Sequence, residues 1–350
     1  MEKTALSRKT AAAIVAAVLL IAAVTALFLR FSRSDSDFNG KDLVCAFALG
    51  RSDDSTTALL TGYNHELLKR FAEQEAMQAR FVPLRDSVHF AADSLLDGKL
   101  DILVFPFNVT VPEGLAASAP IDSSSVWLVR KDRTKALAKL NAWIEGRGGD
   151  EAHSHVKKRF YGAVHDPARL ARNGKKRQFL SPYDSLFRVY APQLGWDWRL
   201  LAALSFKESK FRIDAAHRGA FGLMQMKPET ALAYGLENSL DPEDNIRTGV
   251  KYLAALKRTF AKQLPANPAP GELERFVLAA YNGGEGRMAE YIETASSLGL
   301  YDSTWACIKA LPPALDSLSG SEQKALALKK MNAYADDVMH IYDSFRKICP

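Results

Sequence analysis

Cysteine is scarce in these 350 residues: Cys45, Cys307 and Cys349 are too few for a disulfide framework. At most one bridge fits, and it would join Cys307 with Cys349 because both belong to the C-terminal part; separate buried thiols are the leading reading. There is no CxxC and no Cys/His cluster, so neither a metal nor another cofactor is expected. His153 and His155 form an HxH, but in a charged stretch they read as surface. The chain has no repeats and is not a disordered tail, since 47% of it is hydrophobic and 25% charged. An excess of one charge sign is also lacking: the formal charge of +6 is spread along the chain, which suits an anionic polymer or a membrane surface, and no nucleic-acid partner is expected.

The first 33 residues stand apart from the rest. Lys3, Arg8 and Lys9 precede an apolar run from Ala11 to Leu29 that is closed by Arg30 and Arg33. Its length is about what a bilayer crossing needs. Val24-Thr25-Ala26 could serve as a cleavage site, but Leu27, Phe28 and Leu29 continue the run beyond it, which favours an uncleaved signal anchor over a cleaved signal peptide. Both readings export the remainder to the cell envelope, with the anchored form held in the inner membrane. No Cys follows the run directly, which argues against a lipoprotein anchor.

From Asp42 strands and helices alternate. DLVCAFAL, ARFVPL, DILVFPF and SSVWLVRKD read as strands, while Tyr63–Glu75 and Val88–Leu96 read as helices. This predicts a small α/β unit over 40–145. Residues 146–180 are rich in Gly, Asp, His, Arg and Lys and read as an exposed linker. From Ser181 the pattern is helical to the end, and 181–350 is expected to be an all-α domain. Ser181-Pro182-Tyr183-Asp184 has the form of a capping box.

Within that half, Asp197 is an N-cap and Trp198–Ser209 an amphipathic helix on which Leu201, Leu204 and Glu208 fall at i, i+3 and i+7. A carboxylate therefore occupies a core position near the negative end of its own helix, where desolvation and dipole both hold its proton. That is the setting of a general acid. Two further phrases go with this KES: GAFGLMQ at Gly219–Gln225 and AAYNGG at Ala279–Gly284. Gly219 and Gly222 would let backbone approach a sugar, Met224 would form an adaptable wall, and Gln225 could bond an acetamido group. Tyr281 could donate to Glu208.

These three phrases, with DPEDNIRTGVKYL at Asp241–Leu253, resemble the goose-type lysozyme and soluble lytic transglycosylase superfamily. The resemblance implies a lysozyme-like catalytic domain with Glu208 as the catalytic acid, and Ser209, Gly222, Leu223, Met224, Gln225, Tyr281 and Asn282 as substrate-binding residues. It further implies cleavage of the β-1,4 bond between N-acetylmuramic acid and N-acetylglucosamine in peptidoglycan glycan strands, closing a 1,6-anhydro ring. His217 stands where the family often has a Ser and could replace that substrate contact or simply be exposed. Asp337-Val338 falls where the family usually has Tyr-Val on its last helix. Residues 41–144 resemble one lobe of a periplasmic solute-binding protein, which leaves a muropeptide or a protein as that lobe's candidate partner. The alternatives are a muramidase that uses water and a non-catalytic wall-binding or sensing protein.

Overall fold

The computed structural model describes residues 38, 40–49, 59–84, 88–122, 124–146, 150–318 and 320–350, and the predicted anchor lies outside them. No helix among the described residues is long and apolar enough to cross a membrane. The N-terminal elements are β1 (Asp42–Phe47), α1 (Leu60–Gln74), β2 (Gln78–Phe81), α2 (Val88–Leu96), β3 (Ile102–Pro106), β4 (Leu115–Ala117), β5 (Ser125–Arg130) and α3 (Thr134–Gly146). The strands form one mixed sheet in the order β2-β1-β3-β5-β4. β1 and β3 run parallel, and β5 is antiparallel to both of its neighbours. β4 has only three residues and no alternation, so the sequence pattern passes over it.

By compactness the chain divides into one unit of residues 1–48, 69–80 and 84–145 and another of 49–68, 81–83 and 146–350. In the first, the central strands β3 and β5 are buried along nearly their whole length, which explains their continuous apolar runs. Trp127 stacks on Trp143 at 5.7 Å and meets Phe71 at 6.3 Å. The carboxylate of Asp101 accepts from Val44 N–H at 2.9 Å and ties the loop before β3 to β1.

The second unit is mostly helical. It contains α4 (Glu151–Tyr161), α5 (Pro167–Arg172), α6 (Asp184–Tyr190), α7 (Trp198–Ser209), α8 (Pro228–Ala233), α9 (Pro242–Phe260), α10 (Glu272–Gly283), α11 (Glu285–Ser297), α12 (Trp305–Asp316) and α13 (Glu322–Ile348). The 27-residue α13 packs against α7, α10 and α12, so it forms the spine of the unit. Two expectations need correction. The stretch 146–180 is not plain linker: α4 is capped by Asp150 and buries His153, Val156 and Phe160, a helical stripe disguised by a histidine. The half is not purely helical, because Ala216–His217 pairs with Ala220–Phe221 in a small hairpin. α12 forms despite Pro312 and Pro313, since Trp305, Ile308, Leu311 and Leu315 are buried at helical spacing. Cys307 and Cys349 are both free: the Cys307 thiol is engaged with Thr304 O at 2.9 Å, and Cys349 is buried at the end of α13.

The predicted capping box is present. The Asp184 carboxylate accepts from Ser181 N–H and Leu180 N–H, both at 2.8 Å, and from the Ser181 hydroxyl at 2.6 Å, while Ser181 Oγ accepts from Tyr183 N–H at 3.1 Å. These bonds pair the amides of Leu180, Ser181 and Tyr183 just ahead of α6, whose own N-cap, Tyr183, makes no side-chain cap bond.

Candidate active site

Helix α7 carries the central group. Asp197 accepts from Arg199 N–H at 2.9 Å and so caps the start of the helix, as the sequence predicts. The far end stops abruptly: Lys210 has φ 55° and its N–H closes on Phe206 O at 3.0 Å. Phe211, also left-handed at φ 66°, is driven into a cluster of Phe187, Phe206 and Phe345 rings at 6.2, 5.3 and 6.3 Å. Burial of these rings holds the strained exit in place. The last turn of α7, which carries Glu208, is thereby held in place.

Glu208 is half-buried, and its Oε1 accepts a short hydrogen bond from the hydroxyl of Tyr334 on α13. Burial pushes its carboxyl from the ordinary 4.5 up to about 7, against the Tyr334 hydrogen bond and the Lys207 charge, which both pull it down. No carboxylate is among the groups that move it. Near neutral pH such a group holds its proton in a comparable share of molecules to those that have lost it, which suits one residue to giving a proton and then taking one.

Tyr334 is absent from the sequence-derived site. The comparison by position points to Asp337, but that carboxylate instead pairs with Lys207 Nζ at 2.6 Å. Tyr334 lies one turn earlier, among the buried stripe Leu328, Met331, Ala335 and Val338. A tyrosine in that stripe is no signal by itself, since a purely structural core tyrosine gives the same pattern.

Tyr281 needs the opposite correction. Its hydroxyl donates to Met224 O at 2.6 Å and not to Glu208. It still lies close enough for the Glu208 charge to raise its pKa, after desolvation. Its partner in the phrase, Asn282, is exposed on α10.

The loop after α7 is built by a second set of bonds. Asn245 on α9 accepts from Met224 N–H at 2.9 Å. Gly222 is buried at φ 79°, and a Cβ there would lie 2.2 Å from the Asn245 amide nitrogen. Its missing side chain therefore makes room for Asn245, where the sequence reading assigned the space to a sugar. Gly219, at φ 80°, is open. Gln225 donates to Ala215 O and Gly222 O, both at 2.9 Å, so its amide nitrogen braces the loop. Leu223 and Met224 are fully buried, Met224 lying against Gly249 of α9. Ser209 is buried and donates to Ser205 O at 3.0 Å. His217 is exposed on the hairpin. The structure thus brings Glu208, Tyr334 and Tyr281 together, sets the Gly222–Gln225 wall behind Tyr281, and assigns Ser209 to its own helix.

Residues 185–302 match the family model described as Transglycosylase SLT domain. The chain is similar to a protein named membrane-bound lytic murein transglycosylase F from Stutzerimonas stutzeri (strain A1501), at 32% identity over 200 residues, covering 55% of this chain and 40% of that protein. A protein of the same name from Marinobacter nauticus (strain ATCC 700491 / DSM 11845 / VT8) is 30% identical over 240 residues, covering 66% of this chain and 45% of that protein. The chain thus spans less than half the length of these relatives. A solved lytic transglycosylase structure from Pseudomonas aeruginosa aligns with a TM-score of 0.34 at 16% identity, over 61% of this chain and 33% of that one.

Proposed function

We propose that the chain is a cell-envelope lytic transglycosylase that cleaves the β-1,4 bond between N-acetylmuramic acid and N-acetylglucosamine in peptidoglycan. The observation that carries this reading is the state of Glu208: one carboxyl raised to about 7 and held by Tyr334, with no carboxylate among the described groups that shift it. Enzymes that hydrolyse glycosides usually set two carboxyl groups on either side of the bond. A lone acid suits a different sequence of steps. Protonated Glu208 gives its proton to the glycosidic oxygen as the C1–O bond breaks and the N-acetylglucosamine-bearing part leaves. The resulting carboxylate takes the proton of the C6 hydroxyl, whose oxygen bonds to C1 and closes the 1,6-anhydro ring. Atoms balance without water, and Glu208 ends protonated for the next cycle.

In this reading Tyr334 orients the carboxyl and stabilises it when charged. Tyr281, the Gln225 side chain, Asn282 and His217 are the groups with surface left to meet the sugar. Leu223, Met224 and Gly222 support them from behind, and Ser209 fixes the last turn of α7. Residues 181–350 form the catalytic domain, and 40–145 form a lobe of the solute-binding type joined through 146–180, with a muropeptide or a protein as its partner. The matched relatives are named membrane-bound, which supports attachment to a membrane, with the apolar run of 1–33 as an inner-membrane signal anchor.

The test is digestion of purified sacculi by the protein, with products read by mass spectrometry. Anhydro-muramic ends that vanish in Glu208→Gln are the expected result. Reducing muramic ends alone would establish a muramidase, and binding without turnover would leave a wall-binding protein.

A further inference from the structure

Away from Glu208, the second unit has an open cleft of about 370 Å³, within the size range of ligand sites. It lies in the stretch 158–179. Tyr161, Phe179 and Leu170 supply apolar wall, and Lys158, Arg169 and Arg177 supply positive charge. One carboxylate, Asp166, shares the cleft, but it is committed: it caps α5 by accepting from Arg169 N–H at 2.9 Å and pairs with Arg169 Nε at 3.5 Å. Neither Lys158 nor Arg177 has an ion-pair partner among the described residues. The cleft therefore carries a net positive charge beside aromatic surface.

The floor is fixed by backbone. Arg177 N–H donates to Ile348 O at 2.8 Å, and Lys176 Nζ donates to Lys347 O at 2.6 Å, so the end of α13 holds this strand of chain. Gly162, at the turn after α4, has no room for a Cβ, which would lie 2.6 Å from Lys158 O. The 14 residues from Tyr334 to Ile348 along α13 place the cleft on the order of 20 Å from the Tyr334–Glu208 pair, at about 1.5 Å per helical residue. A ligand in it does not touch the bond being cleaved.

We propose that this cleft is an anchoring site for the carboxylate-bearing peptides that branch from the glycan strand, engaged while another part of the same strand lies at Glu208. This rests on the peptidoglycan reading above. The sugars of the strand supply few charges, whereas its peptides combine free carboxylates with aliphatic side chains. Next to Tyr161 and Phe179 the cleft offers two cations without an ion-pair partner among the described residues, the Arg177 side chain donating only to the backbone carbonyl of Lys176 at 3.3 Å. An anionic membrane is the less fitting occupant, because surface attachment to lipids uses clusters of about four to eight basic residues on an open face, not a concave site.

Binding to sacculi is measured by co-sedimentation with the full chain carrying Glu208→Gln, so that nothing is digested, with and without Lys158→Ala and Arg177→Ala together. Two solvent-exposed ionic contacts together account for about tenfold in affinity. The expected result is that loss on sacculi bearing peptides and a smaller loss on glycan strands freed of peptide by an amidase, which keep a lactyl carboxylate on each muramic residue but lack the peptides' aliphatic side chains. With Glu208 restored, the double variant should raise KM on intact sacculi and leave kcat unchanged. An equal loss on both substrates, or no loss on intact sacculi, overturns the proposal. So does loss of binding to vesicles of anionic phospholipid with sacculus binding unaltered, which would make the cleft a lipid contact. Absence of anhydro products would refute the transglycosylase reading without altering these binding isotherms, so the two failures are distinct.

Discussion

Glu208→Gln tests stability as well as activity. Because burial lifts the folded-state pKa from 4.5 to about 7, folding favours the protonated carboxyl. The stabilisation from this protonated group is fully present below pH 4.5 and is lost as pH rises through 7. A shift of about two and a half units corresponds to roughly 3 kcal/mol between the two limits. Glutamine is neutral at all these values and keeps an oxygen that can accept from Tyr334. The variant should therefore unfold with nearly the parent's free energy at pH 4 and be more stable than the parent by up to ~3 kcal/mol at pH 8.5. Denaturant unfolding at the two pH values, followed by far-ultraviolet circular dichroism to report the helical unit, measures the difference. A gap between variant and parent that is the same at both pH values would refute the reading that Glu208 is held protonated by burial, whatever the effect on catalysis.

Other perturbations of the same site have signs that follow from the contacts. Tyr334→Phe removes the bond that lowers the Glu208 pKa, so the alkaline limb of the pH–rate profile should move up while kcat falls by about ten- to a hundredfold, the worth of one hydrogen bond to a charged group. Asp337→Asn acts the other way: it unmasks Lys207, whose charge pulls the Glu208 pKa down, so the alkaline limb should move to lower pH. Its effect on thermal stability should be under ~1 kcal/mol, because the pair is largely exposed. Gly222→Ala places a methyl against the Asn245 amide at φ 79° and should cost at least ~2 kcal/mol in a denaturant melt, together with activity. Thiol titration of the unfolded, unreduced chain should count three groups, and a count of one would mean a Cys307–Cys349 bridge.

The parts of this fold that were legible in sequence are those set by local rules. The Asp197 cap, the Ser181–Asp184 box and the start of α9 at Pro242 depend on residues within one turn of each other. Glu208 was visible because a charge interrupts an apolar stripe. What escaped depends on partners distant in sequence. Tyr334 meets Glu208 across 126 positions, and nothing in the local pattern of α13 distinguishes it from a core tyrosine. Gly222 suggests an open approach until Asn245, 23 residues on, is found in the space. His153 disguises α4 because a buried histidine breaks the apolar count, although its Nε2 lies 3.3 Å from the Tyr63 hydroxyl.

The two tyrosines at the site show how identity and role separate. Either one, judged by type alone, could donate to Glu208, and Tyr281 belongs to the more specific phrase. Geometry divides the work: Tyr281 spends its single hydroxyl proton on Met224 O, so it fixes the loop, and Tyr334 spends its own on the carboxyl. A hydroxyl has one proton to give, so neither can do both. Losing Tyr281's bond should therefore loosen the Gly222–Gln225 wall while leaving the Glu208 hydrogen bond in place. Losing Tyr334's should do the reverse, because burial, opposed only by the Lys207 charge, would then set the carboxyl's proton affinity. The raised pKa of Glu208 comes from its position on α7, while its direction comes from a helix that begins more than a hundred residues later.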